Sequence, residues 1–96
     1  MSDAKPIKAH VFSGRRYRIE LRNPPDAGAI GTCDDPTEPE RTIFLSPQSD
    51  DFVALEVAIH EGLHACFWFL TEEAVDQAAL DLASFVQRLG LLREDD

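Results

Sequence analysis

The stretch SDDFVALEVAIHEGLHACFWFLTEE, residues 49–73, decides how this chain is read. Ser49, Asp50 and Asp51 offer an N-cap and an acidic first turn, which suits the positive end of a helix dipole. Phe52, Leu55, Ile59, Leu63 and Phe67 then recur at spacings of three and four, the signature of one buried helical stripe. The spacing predicts a helix over about 51–67, ending between Cys66 and Phe69. Thr71 is a second N-cap, and the helix it opens runs over about 72–89. Its apolar stripe is Val75, Ala78, Ala79, Leu82, Val86 and Leu89, with Gly90 placed to close it.

Upstream, the period changes from helical to alternating. Ile7, Ala9 and Val11 alternate with polar neighbours, as do Tyr17, Ile19 and Leu21, and Ser13-Gly14 between them predicts a hairpin. Asn23-Pro24-Pro25-Asp26 stops the second strand, because proline cannot donate to a ladder. Ala29 to Cys33 reads as a third strand, Asp34 to Glu40 as a loop, and Thr42 to Leu45 as a fourth strand halted by Ser46-Pro47. Strands over about 7–46 followed by two helices predict a single α+β domain. In it a small, mostly antiparallel sheet of three to four strands is covered on one face by packed helices. Leu91 to Asp96 reads as a tail that frays.

Composition narrows the partners. In 96 residues, 9 Lys and Arg face 18 Asp and Glu, a formal net charge of -9. That balance argues against nucleic acid, whose phosphates need basic side chains; its plainest role is solubility. Arg15, Arg16 and Arg18 around Tyr17 form the one basic cluster, read as a solvated hairpin. The polar start, Met1 to Lys8, lacks a signal peptide's apolar run, and no segment has the length of a membrane span. Cys33 and Cys66 are too few for a disulfide framework. A cytoplasmic protein with reduced thiols is expected, in an oligomeric state the sequence leaves open.

Within the first helix, His60 and His64 lie four apart and project from one face. Two imidazoles so placed can bind one Zn²⁺ at about 2.0–2.1 Å each. Glu61 sits one step round, beside the site, where a carboxylate can take a proton from metal-activated water. Two alternatives stand beside this: core histidines bonded to nearby carboxylates, and a structural zinc, which usually draws on several cysteines.

His60-Glu61-Gly62-Leu63-His64 resembles the zincin metallopeptidases. With strands before the motif and a carboxylate-bearing helix after it, residues 30–90 look like the gluzincin group. They are most similar to minimal SprT-like and ImmA/IrrE-like domains of bacteria and phages. The resemblance implies a zinc-dependent peptide hydrolase in which Glu61 activates a zinc-bound water, with a peptide or protein as substrate; the alternative is an inactive zincin-fold binding module. Phe67 and Leu70 stand where the three-histidine zincins carry Gly and His, so that variant is excluded.

The gluzincin resemblance also implies a third ligand, a Glu on the second helix, for which Glu72, Glu73 and Asp76 are candidates. On a helical wheel centred near Leu82, Glu72 falls about 80° away, Asp76 about 120° and Glu73 nearly opposite. Glu72 is therefore preferred, with Asp76 in the place where larger gluzincins orient a ligand histidine. An oxyanion donor would come from Tyr17 or His10, although packing of Tyr17 on the sheet and exposure of His10 are the plainer readings. Cys33-Asp34 is expected beside the cleft on an edge strand, which in zincins pairs with substrate backbone. Phe67-Trp68-Phe69 is expected to close the core over the helix connection.

Overall fold

The computed structural model describes residues 6–92. Four strands, β1 (Ala9–Phe12), β2 (Arg15–Glu20), β3 (Gly31–Cys33) and β4 (Thr42–Leu45), precede two helices, α1 (Asp51–Cys66) and α2 (Glu72–Arg88). The sheet has the order β1-β2-β4-β3. Two of its pairings, β1 with β2 and β3 with β4, are antiparallel, while β2 and β4 run parallel. The fold is α+β, as the change of period predicts, and β3 is left as an edge.

The β1–β2 hairpin turns on Ser13 and Gly14, at φ 50° and 76°. Two positive φ values in a two-residue loop match the right-handed twist of the flanking strands. This turn sets the parity of β1, and it differs from the alternation of Ile7, Ala9 and Val11. His10 is paired with Tyr17, so the residues of β1 on the face of Tyr17 are His10 and Phe12. Phe12 packs edge-on against the Tyr17 ring at 5.7 Å, whereas Ile7 and Val11 are more than half exposed. Tyr17, Ile43 and Ala65 form the core under the sheet, joined by Phe12, Ile19, Cys33 and Leu45.

Both helices are capped as their sequences dictate. Asp50 accepts from the Phe52 and Val53 amides at 2.8 and 3.1 Å, and Thr71 Oγ1 accepts from Ala74 at 3.1 Å. At the far end of α1, Ser13 Oγ donates to the Cys66 carbonyl at 3.0 Å. The hairpin thereby satisfies a carbonyl that the helix leaves over.

α1 is apolar on nearly every side because it is the middle layer. It touches β3, β1 and β4 on one side and α2 on the other, while α2 touches α1 alone. The expectation that both helices lie on the sheet is corrected accordingly. The deepest residues of α1 are Val57, Glu61 and Ala65. The stripe of Phe52, Leu55, Ile59 and Leu63 is half-buried, and Phe67 is exposed. In α2, Val75, Ala79 and Ala83 are fully buried. Leu82 and Leu89 of the expected stripe stay open, at 43% and 55% exposure. Phe67, Trp68 and Phe69 also remain exposed, because the short connection passes α1 without crossing back over the core. Of the tail, only Leu91 and Leu92 fall within the described residues.

Small buried residues between α1 and α2 let the helices approach closely. Ala79→Leu would force extra volume into that contact and should lower the unfolding free energy by about 1–3 kcal/mol in urea titration. The exposed Ala74→Leu changes it by less than about 0.5 kcal/mol.

Candidate metal centre

α1 presents His60 and His64 one turn apart, and α2 brings Glu72 across to them. His60 Nε2 lies 2.7 Å from Glu72 Oε1. His64 Nε2 lies 3.1 Å from Glu72 Oε2 and 3.2 Å from His60 Nε2. One ligand atom from each of the three residues falls within 4.8 Å of the others, a group that could hold a metal ion. On the far side of the ring, His60 Nδ1 is 3.2 Å from Asp76 Oδ1. Asp76 accepting from Nδ1–H leaves the Nε2 lone pair pointing at the Glu72 carboxylate and at His64. Acceptors at such distances need a shared proton or a cation between them.

Thus Glu72 meets both histidines, Asp76 backs one of them, and Glu73, exposed on α2, is outside the group. Burial opposes ionisation of Glu72, but hydrogen bonding and charge from His60 and His64 outweigh it and hold the carboxyl below its usual range.

Glu61 is 6% exposed. Burial pushes its carboxyl above the usual range; His60 and His64 pull the other way, and Glu72 adds to the rise. The cover over Glu61 is β3. A Cβ on Gly31 would stand 2.9 Å from Glu61 Oε2 and 2.9 Å from Val57 Cγ1. Glycine is required there by close approach of strand backbone to helix.

Two cavities meet at Glu61. One, of about 310 Å³, is lined by Asp26, Gly31, Thr32, Cys33, Trp68 and the His60, Glu61, His64 and Glu72 group. The other, of about 290 Å³, runs past Ile30, Gly31, Val53, Glu56 and Val57 to His60 and Asp76. Together they follow the edge strand on both sides of the carboxylate. Trp68 forms a wall, its ring edge-on to His64 at 6.0 Å.

Cys33 lines the cleft, and burial, then Glu61, Asp34 and Cys66, push its thiol up to about 12. It stays protonated at neutral pH and is a poor ligand or nucleophile. Asp34 instead fastens the loop, accepting from the Thr42 amide at 3.0 Å. Tyr17 is fully buried, and among the described residues its hydroxyl has no hydrogen-bond partner. Neither it nor the exposed His10 lines the cleft. Arg16 and Arg18 of the hairpin line a separate cavity of about 590 Å³ that also takes in Lys8, Glu40 and Arg41.

Asp26, Gly31, Thr32 and Trp68 are cleft residues that motif reading missed. A glycine inside a strand was the one available signal, since it marks close backbone approach. No family model matches the chain, and neither a curated protein nor a solved structure does. No helix among the described residues is long and apolar enough to cross a membrane.

In Co²⁺ titrations of a site that holds a metal, His64→Ala should abolish one-to-one binding, Asp76→Asn should weaken it about 10–100-fold, and Glu73→Gln should leave it unchanged. Tyr17→Phe removes an unpaired buried hydroxyl, so urea unfolding shows stability unchanged or higher by about 1 kcal/mol.

Proposed function

We propose that this chain is a zinc-dependent peptide hydrolase of the zincin type. The observation that carries the reading is the meeting of His60, His64 and Glu72 next to a buried Glu61, with Asp76 behind His60. Ligands at about 2.0–2.1 Å from a tetrahedral zinc lie about 3.3–3.4 Å apart. The spacings of 3.1 and 3.2 Å are slightly tighter, the 2.7 Å hydrogen bond between His60 and Glu72 has about 0.6 Å to open, and two histidines with one carboxylate are a common donor set of catalytic zinc. The residues present therefore fit the ion.

Bound zinc supplies Lewis acidity, which lowers the pKa of water and polarises a carbonyl. The chain supplies the rest. Glu61, its carboxyl raised by burial, takes a proton from the attacking water and returns it to the leaving amine. Asp76 holds the His60 ring in one tautomer. The edge of β3 offers unpaired backbone groups along the two cavities, where an extended peptide adds as a further strand. Its scissile bond would then lie over Glu61. Two free cysteines, Cys33 and Cys66, suit the reducing cytoplasm in which we place the protein.

Glu61→Gln keeps the shape of the side chain and removes the base. Zinc binding, read by calorimetry, stays within a few-fold of wild type, while hydrolysis of an unfolded protein substrate falls about 10²–10⁴-fold. Turnover that survives the substitution overturns the mechanism. A zinc-loaded wild type that cleaves nothing in a broad peptide panel assigns the fold to binding instead.

A further inference from the structure

α2 carries two apolar faces, and α1 covers only one of them. Val75, Ala79 and Ala83 are buried against the motif helix. Round the helix, Ala78, Leu82, Phe85 and Leu89 follow at spacings of four, three and four, the pattern of a helix–helix seam. Leu82, Phe85 and Leu89 are 43%, 59% and 55% exposed, and no strand touches α2. A shallow groove of about 530 Å³ beside this seam is lined by Asp81, Ser84, Phe85, Arg88 and Leu89.

The charges at the groove are arranged to complement a second copy of themselves. Asp81 and Arg88 flank Phe85 at nearly equal distances along the helix, with opposite signs. Asp81 bonds only the Gln77 amide, at 2.9 Å, and Arg88 makes no ion pair among the described residues. A two-fold axis near Phe85 turns such a pair into its own complement. Asp81 then meets the partner's Arg88, and Arg88 meets the partner's Asp81. The same axis sets Phe85 on Phe85 and Leu82 beside Leu89. Elsewhere a chain of net charge -9 repels its copy; here the charges cancel.

We propose that the protein self-associates through this face, as an antiparallel pair of α2 helices. A single helix pair falls below the roughly 800 Å² per partner of stable interfaces, so the dimer is reversible and depends on concentration. Glu72 and Asp76 lie at the other end of α2, so pairing leaves the metal centre open.

Sedimentation equilibrium on the full chain tests the proposal. The average mass should rise with concentration from 10.7 kDa toward twice that value. Phe85→Asp, at an exposed position, should weaken association at least about tenfold, with circular dichroism and Co²⁺ binding unchanged. Asp81→Arg and Arg88→Asp should each weaken it about tenfold, since every exchange acts at two symmetric contacts, and combining them should restore it. A protein that stays monomeric at about 1 mM overturns the proposal and leaves the face to another partner. A dimer indifferent to Phe85→Asp overturns the surface. A double variant as weak as the single ones overturns the antiparallel pairing.

Discussion

The small side chains of Val75, Ala79 and Ala83, fully buried against α1, set the distance at which α2 lies, and the site depends on that distance. His60 and His64 are placed by one helix and need nothing else to share a face. Glu72 and Asp76 belong to the other helix, and they reach the rings at 2.7 and 3.2 Å only because the helices touch closely. Thr71 adds to the constraint: by capping α2 at its Oγ1, it fixes where the helix starts and hence where its first carboxylate points. Larger side chains in the contact would keep the helices and lose the convergence.

A second constraint acts from the sheet side. Glu61 occupies the α1 face that carries Val57 and Ala65, positions that a helix of this kind normally gives to apolar residues. A buried carboxylate is costly unless paired, and the nearby histidines offset part of that cost while Gly31 brings β3 down as a cover. The edge strand is therefore both the lid on the carboxylate and the rim of the cleft. Any side chain at position 31 would separate these roles.

Much of this was legible in the sequence, and the exceptions share a cause. Helix limits were readable because caps act locally, through Asp50, Thr71 and Gly90. That Glu72 rather than Glu73 faces the histidines was readable from helix pitch, because Glu72 lies nearer both Leu82, the centre expected, and the Val75, Ala79 and Ala83 face that is buried. Periodicity says that a face is apolar but not what covers it. Hence Leu82 and Leu89 look like core in the sequence and are open in the fold, and Phe67 to Phe69 look like a closure and are exposed. The parity of β1 depended on the hairpin register, which a Ser-Gly turn sets and an alternation of Ile7, Ala9 and Val11 does not. The walls of the cleft, Trp68 and Asp26, come together only through tertiary structure.

The link between Ser13 and the Cys66 carbonyl spans 53 positions, whereas His60 and Glu72 are 12 apart. Loop closure costs more for the longer span, and local contacts form sooner. His60, His64 and Glu72 thus belong to one helical hairpin, whose contacts close only a short stretch of chain. The burial of Glu61 depends on β3, and so on the longer-range closure of the sheet. Gathering His60, His64 and Glu72 and enclosing Glu61 therefore rest on contacts of different range along the chain.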